Sequence, residues 1–394
     1  MHTTIQNTIT IREIRPEELS VVRDLGKRAF PPPMGHLMAA TMASQGLVVE
    51  DETGTIIGAL TLRIVQVGKQ KLGILDWGAV DPAHRGKGIA KAVVNQAIVW
   101  LQQQGCDRVT TTGVDGYNSG SWNANYAHGL RYWPVSRQIH EFGWRWPQLM
   151  FAIPHVIGIG TFILQMPFQK NEREQLDTPE TGGIKAMIYV TLLLGLFLLP
   201  LSYVRRAFWG SVNISDLFAT LNFTTLLVGT GIIAIYVIAR TVAHRWAARV
   251  LRLPLTFRPW DSGLIMATFL AAALGVFVPG LGGSYYIRQP KFIYSQARSA
   301  VGKIMLAGAA ASLTILLGFT MWAESSMATS DPIVTAITTL GRYIGISFSM
   351  TDTLFFFWPF QSLPAGHIWR WRRSVWLVVC VCFLGIWLIL PRVL

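Results

Sequence analysis

Arg85, Gly86, Lys87, Gly88, Ile89 and Ala90 run together as RGKGIA, directly after VDPAH and at the opening of a stretch with helical apolar spacing. Two glycines one residue apart let backbone N–H groups turn inward where a helix begins, and the helix dipole favours negative charge at that end. Arg85 and Lys87 add full positive charges at the rim. The chemistry such a turn performs is the capture of a diphosphate. A second segment, Arg240-Thr241-Val242-Ala243-His244, has the length of the zinc-binding helix motif H-E-x-x-H but keeps only its last histidine. It reads either as a metal site without its ligands or as the basic end of a membrane helix, and the second reading is preferred.

The elements that must position the first motif follow from residue periodicity. TITIREI alternates as a short strand and RPEELSVVRDLGKRAF follows as a helix. GLVVEDETGTIIGALTLRIV reads as two strands joined by a turn at Glu52-Thr53-Gly54. KLGILDWGAV is a further strand, with Asp76 inside its apolar run, and Asp81-Pro82 ends it. IAKAVVNQAIVWLQQQG is a helix with a glycine at its C-terminal end, and DRVTTTGV is the next strand. A short helix and a last strand near SRQIHEFGW complete the unit. The predicted fold class of residues 1–148 is α/β, a mixed central sheet flanked by helices, with its ligand at the strand–glycine turn–helix unit.

The pattern Arg85-x-x-Gly88-x-Ala90 resembles the cofactor motif of the GNAT N-acetyltransferases, and the resemblance covers about residues 8–145. It implies acetyl-CoA as co-substrate, bound by Arg85, Gly86, Lys87, Gly88, Ile89 and Ala90, with the pantetheine arm between the strand at Ala79 and Val80 and the segment opened by Asn118. Backbone groups near Ala79 and Val80 would polarise the acetyl carbonyl. Asp76 would act through water as the base that leaves the acceptor amine neutral, or would hold a loop by hydrogen bonds. NSGSWNANYAHGLRY is similar to the family's N-x-x-A…Y…G-F helix, with Gly129-Leu130 in place of Gly-Phe. The family's tyrosine, which protonates the departing thiolate, stands four residues before that glycine. Asn125 fills that slot here and Tyr126 follows it, so Tyr126 is the candidate acid or a packing tyrosine.

Beyond Trp146 the composition changes. Residues 1–150 hold fifteen Lys and Arg against twelve Asp and Glu, while residues 151–394 hold nineteen against nine. The excess lies between apolar runs, which fits membrane loops rather than a nucleic-acid groove. Residues 149–185 form an apolar or interfacial segment (151–168) and a polar linker (169–183), followed by a multi-pass, all-α polytopic membrane domain over 186–394. Its apolar runs are 186–204, 217–239, 263–280, 304–322, 333–358 and 375–390, several near the roughly 20 residues that a spanning helix needs. Basic stretches at 240–258, 288–303 and 370–373 set these loops in the cytoplasm, so 263–280 is a re-entrant segment and Arg205-Arg206 falls on the opposite side. Cys106, Cys380 and Cys382 suggest no disulfide framework, and the N-terminus lacks the apolar core of a signal peptide, which places the first domain in the cytoplasm.

This layout resembles the site-2 protease family of intramembrane zinc metalloproteases across about residues 186–390. The matching segments are RTVAH, FRPWDSG with the following Pro279-Gly280, VGKIMLAGAAASL and FFFWPFQSLPAGHIW. Ala310 and Ser312 depart from the third motif. Arg240 and Thr241 stand where the family has its first histidine and its glutamate, and Ala365 stands where it has its aspartate. His244 persists, with His367 displaced nearby. A hydrolytic zinc needs three protein ligands and a carboxylate base, so no metal is expected. The sequence therefore points to a membrane-anchored N-acetyltransferase, with a small-molecule or protein amine as acceptor, the lipid bilayer and a membrane protein as partners, and no nucleic acid. The alternative is a membrane scaffold that only senses acetyl-CoA.

Overall fold

Strands β1 (Thr10–Glu13), β2 (Gln45–Glu50), β3 (Ile56–Val67), β4 (Gln70–Val80), β5 (Arg108–Val114), β6 (Arg131–Tyr132) and β7 (Thr161–Pro167) form one sheet in the order β1-β2-β3-β4-β5-β7-β6. They belong to a computed structural model that describes residues 9–30, 34–114, 124–153, 161–169, 183–208, 222–287, 294–326, 331–357 and 363–393. The chain divides into two compact units, one holding the described residues up to 169 and the other those from 183 onward.

In the first unit β4 is buried without interruption from Leu72 to Asp76 because helices cover both faces of the sheet. Helix α1 (Leu19–Ala29) and helix α2 (Met34–Thr41) cover one face, with Val22, Leu25 and Met38 packed on Val48, Ala59 and Ala79. Helix α3 (Ile89–Gln103) covers the other with Ile89, Val93, Val94, Ala97, Ile98 and Leu101, one apolar stripe at helical spacing. Each such aliphatic side chain contributes about 1.5–3 kcal/mol on full burial. The sheet brings α3 close through two glycines: a Cβ on Gly58 would meet Ile89, and one on Gly73 would meet Leu101.

At the sheet edge Arg12 donates to Glu18 at 2.6 and 2.8 Å and also pairs with Glu50, tying β1 and β2 to the start of α1. The Arg12 guanidinium is the main cause that holds the Glu18 carboxyl well below its usual range, down to about 2. Because the folded value lies below the unfolded one, this contribution is complete above about pH 4.5 and is lost as pH falls toward 2. Glu18→Gln is expected to remove about 1 kcal/mol at neutral pH and to flatten the decline of stability across that window, measured by thermal unfolding of the full chain.

Two segments differ from the sequence expectation. Residues 136–144 were expected as a strand, yet Val135–Phe142 is helix α4, followed by helix α5 (Trp146–Ala152). Buried Gln138 and Phe142 lie four residues apart on one face, and Arg137 pairs with Glu141 at helical spacing on the other, which a strand would separate. The apolar run inside 151–168, expected at or across a membrane, supplies β7, which pairs with β5 along its whole length (Arg108↔Pro167 to Val114↔Thr161). A central strand needs apolar residues toward both faces, so the mostly apolar TFILQMP imitates a piece of a membrane segment. The first unit thus extends beyond residue 148.

Among its described residues the second unit is helical apart from one two-stranded ladder. Among the described residues five helices are long and apolar enough to cross a membrane: α6 (Ile184–Phe208), α7 (Phe223–Val250), α9 (Gln296–Ser325 within Tyr294–Ser325), α10 (Ile333–Thr353 within Pro332–Thr353) and α12 (Arg373–Arg392). Helix α8 (Asp261–Leu274) is 14 residues long, and α11 (Pro364–Trp371) has eight. At about 1.5 Å per residue α8 covers roughly 21 Å, short of the roughly 30 Å of a bilayer core. Strand β8 (Leu255–Pro259) enters α8, and β9 (Gly283–Ile287) leaves the segment and pairs antiparallel with β8. The segment 260–282 therefore begins and ends at one level. Its far end is fastened by Arg205, which donates to the Ala273 carbonyl (3.0 Å), and by Arg206, which donates to that of Gly275 (2.8 Å) and to the Tyr343 hydroxyl (2.7 Å). Two arginines on the last carbonyls of a short helix also complement its dipole.

Candidate functional site

Gly86 and Gly88 have φ of +81° and +83°, and no atom lies within 4 Å of a Cβ built on either. Glycine is required there by backbone conformation, since L residues resist the left-handed region. Gly88 caps α3, and the first helical bond runs from Ala92 N–H to the Gly88 carbonyl (3.1 Å). The N–H groups of Ile89, Ala90 and Lys91 precede that bond and point out of the helix end, where its partial positive charge is greatest. Ile89 anchors the turn by burying its side chain on the sheet, while Ala90 and Lys87 are exposed. Arg85 is not a free rim charge. It donates to the carbonyls of Val80 (3.3 Å) and Ala29 (2.5 Å), and so fastens the loop to the ends of β4 and α1.

Beside this loop the sheet splits. β4 pairs with β5 in parallel only from Leu72↔Arg108 to Leu75↔Thr111, although both strands continue. The Thr111 hydroxyl donates to the Leu75 carbonyl (3.0 Å) at the last shared position. Over Gly78–Val80 β4 keeps its pairing with β3 alone, so alternate backbone N–H and C=O groups face the gap instead of a strand. The cause is a register shift between Leu60 and Leu62, which sets Thr61 against both Asp76 and Trp77. Trp77 N–H donates to the Thr61 hydroxyl (3.1 Å), and such a bulge bends the strand and increases its twist. Ala79, Val80 and residues 85–90 are thus gathered around one opening.

Asp76 lies at the bulge itself. Its side chain has 0% exposure and accepts from Ala43 N–H (3.3 Å), the Thr61 hydroxyl (3.2 Å) and Arg63 Nη2 (3.2 Å). These contacts join the end of α2 to the β3–β4 hairpin, as a carboxylate that holds a loop would. Asp76→Asn is expected to lower stability by about 1–3 kcal/mol while leaving the pH profile of any turnover unmoved. Loss of the acidic limb of that profile would identify Asp76 as a base instead.

Tyr126 is half-buried on the helical turn 124–127 that leads into β6, and the Arg131 guanidinium lies 5.5 Å over its ring. β5 and β7 stand between β4 and β6 in the sheet, so β6 lies about 14 Å from β4 at about 4.8 Å per strand. Tyr126 and Asp76 are therefore carried by separate parts of the sheet. Asn118 lies outside the described residues.

In the second unit Arg240, Thr241 and His244 are buried inside the bundle, while Val242 on the same helix is exposed. Arg240 donates through Nε (2.9 Å) and Nη2 (2.5 Å) to the two carboxylate oxygens of Asp352, which also accepts from the Ser312 hydroxyl (2.8 Å). Thr241 donates to the Val237 carbonyl (2.7 Å) and meets the Tyr285 hydroxyl (3.0 Å). The His244 ring stacks on Tyr285 with centroids 4.0 Å apart, lies against Gly308, and makes a 2.6 Å hydrogen bond through Nδ1 to the Arg240 carbonyl. His367 bonds through Nδ1 to the Tyr294 hydroxyl (3.0 Å). No group of three or more His, Cys, Asp and Glu able to hold a metal occurs among the described residues. Asp352 was missed from sequence, although it is the one acid in the run 333–358 and Arg240 ends another long apolar run. Ionisable groups inside helix bundles of this kind pair with one another, which is the signal that would have found it.

Residues 11–127 match the acetyltransferase (GNAT) family. Among curated proteins none matches the chain. Among solved structures the chain is similar to a GNAT family acetyltransferase from Brucella melitensis in complex with acetyl-CoA, at 23% identity over 32% of this chain and 83% of that one, with a TM-score of 0.26. An acetyltransferase from Trypanosoma brucei matches at 22% identity over 32% and 95% of the two chains, with a TM-score of 0.27. NAA60 from Arabidopsis thaliana, in complex with acetyl-CoA, matches at 18% identity over 32% and 88%, with a TM-score of 0.29.

Proposed function

We propose that this chain, whose residues 11–127 are an acetyltransferase (GNAT) domain, is a membrane-anchored N-acetyltransferase that uses acetyl-CoA. The observation that carries the reading is the opened β4–β5 gap beside the N-terminus of α3, where Gly88 brings no side-chain cap. The diphosphate of acetyl-CoA would bind the N–H groups of Gly86 to Ala90, and the pantetheine amides would pair with the free edge of β4 near Ala79 and Val80, as a strand would. That pairing brings the thioester to the bulge at Asp76–Trp77. A neutral acceptor amine then attacks the acetyl carbon, the carbon–sulfur bond breaks with its electron pair on sulfur, and the amine proton leaves through solvent. Tyr126 is assigned the proton donation to the departing thiolate. Tyr126→Phe is expected to lower kcat by about ten- to a hundredfold while leaving the Kd of acetyl-CoA unchanged.

The enclosure of Asp76 favours a second reading, in which the domain binds acetyl-CoA and reports it without turnover. Incubating the detergent-solubilised full chain with acetyl-CoA and a panel of primary amines, and following thiol release, separates the two. Thiol release that depends on an amine supports the transferase. Saturable binding without release supports the sensor.

For the second unit we infer a site-2-protease-like membrane domain that has exchanged zinc chemistry for an ion pair. A guanidinium bonded to Asp352 and a hydroxyl bonded to Tyr285 stand where a histidine ligand and a glutamate base would be needed, and neither can act as one. The segment 260–282 is assigned as re-entrant, and the basic ends of α7, α9 and α11 are assigned to the cytoplasmic side together with the acetyltransferase domain. Arg205 and Arg206, bonded to the carbonyls of Ala273 and Gly275 at the tip of the segment, fall on the opposite side under this assignment.

A further inference from the structure

The last turn of α7, the first turns of α9, helix α11 and the start of α12 pack together through Ala248, Val301, Ile368 and Val375. Gly302 in α9 lies so close to Trp371 at the end of α11 that a Cβ on it would meet that side chain. These four elements bring Arg249, Arg252, Arg298, Lys303, Arg372 and Arg373 to one end of the bundle, all of them exposed. None has an ion-pair partner among the described residues, and the stretches 240–258, 288–303 and 366–376 contain no Asp or Glu. Like charges gathered in this way repel, and an anion from outside the chain offsets them.

The surface beside these cations says which anion. On α7 the exposed Val242, Trp246 and Val250 recur every fourth residue, and Arg249 stands at the end of that stripe. On α12 the exposed Arg373, Leu377 and Val381 recur in the same way, with the arginine at the outer end. An apolar stripe that ends in a cation fits a molecule with an acyl chain and an anionic head, and Trp246 is the residue type that gathers at a lipid–water boundary. Helix α12 also opens without a side-chain cap, and its first bond runs from Trp376 N–H to the Arg372 carbonyl (3.1 Å). The N–H groups before that bond add to the positive field. Arg252 supplies a backbone signal. It is the one non-glycine residue with a positive φ (+54°) among the described residues. Its N–H donates to the Arg249 carbonyl (3.0 Å) and that of Leu253 to the Ala248 carbonyl (2.8 Å), which closes α7 in a turn that glycine makes at lower cost. An arginine held there against the backbone preference points to a use for its charge.

We propose that this end of the second unit binds the headgroups of anionic phospholipids, with their acyl chains along the α7 and α12 stripes. The proposal rests on the second unit lying in a bilayer and is independent of acetyl-CoA. The full chain in a non-ionic detergent is titrated with phosphatidylglycerol, phosphatidylcholine and soluble glycerol 3-phosphate, and bound lipids are counted by native mass spectrometry. Phosphatidylglycerol is expected to bind saturably and at least about tenfold more tightly than phosphatidylcholine, without competition from glycerol 3-phosphate. Each cation near an anionic lipid surface is worth about fivefold in affinity. Arg252→Gly removes one cation while relieving the backbone, so it is expected to fold at least as stably and to weaken phosphatidylglycerol binding about fivefold. Arg372→Gln with Arg373→Gln is expected to weaken it about 25-fold, and Lys69→Gln, which removes an exposed cation of the first unit, to leave it unchanged. Equal binding of the two phospholipids, competition by glycerol 3-phosphate, or unchanged affinity in the folded arginine variants overturns the assignment. Binding of neither phospholipid overturns the membrane reading with it.

Discussion

Replacing Gly88 by valine is expected to lower the affinity for acetyl-CoA about a hundredfold. Gly88 holds φ at +83°, where a β-branched residue costs more than the roughly 1–2 kcal/mol of an ordinary L residue. The loop would relieve that strain by rotating its N–H groups away from the helix opening. Each charge-assisted hydrogen bond lost to a phosphate costs about 1.5–3 kcal/mol, so one or two lost bonds account for the effect. Space is not the cause, because a Cβ at this position meets nothing within 4 Å. Gly54 provides the control. It has φ of +77° in equally open space, in the β2–β3 turn. Gly54→Val is expected to lower stability by a similar strain and to leave acetyl-CoA affinity unchanged. Calorimetric titration of both variants reads the difference, and equal losses in the two would show that only folding had been disturbed.

Asp352→Leu is expected to destabilise the second unit by about 3–5 kcal/mol, the largest stability effect of any single change considered. The substitution leaves the Arg240 guanidinium charged and unpaired at 5% exposure, and strips the Ser312 hydroxyl of its acceptor. The same carboxylate joins α7, α9 and α10, so three helices lose their polar cross-link at once. Adding Arg240→Met is expected to restore most of the loss, to within about 1–2 kcal/mol of wild type, because neither charge then needs a partner. Thermal unfolding of the three proteins in detergent measures this. If the double variant were as unstable as the single one, the ion pair would be a minor contact rather than the centre of the bundle.

The cofactor loop was legible because its signal is local. Two glycines with positive φ, an arginine and an α3 stripe of six buried residues all lie within 17 consecutive positions, residues 85 to 101. The bulge that opens the sheet was not legible. It depends on the pairing of Thr61 with two residues of β4, and the spacing within KLGILDWGAV gives no sign of it. The role of Arg85 changed for a similar reason, since its acceptors at Val80 and Ala29 come from other elements. TFILQMP was mistaken for part of an apolar membrane segment because a strand covered on both faces and a short piece of a span share one composition. Residues 136–144 were read as a strand, where the buried positions Gln138 and Phe142 recur at helical spacing. In the second unit the long helices followed from apolar length alone, with boundaries moved by up to about a dozen residues where basic side chains extend a helix, as at Arg249 and Arg298. Asp352 was passed over because a charge inside an apolar run acquires meaning only from a partner more than a hundred residues away.

The central claim is that the turn at residues 85–90 holds acetyl-CoA, and titration calorimetry of the full-length protein with acetyl-CoA tests it most directly. One-to-one binding by the wild type, retained in Gly54→Val and lost in Gly88→Val, is the expected result. Folded wild-type protein that takes up no acetyl-CoA would contradict it, and with it both the transferase and the sensor.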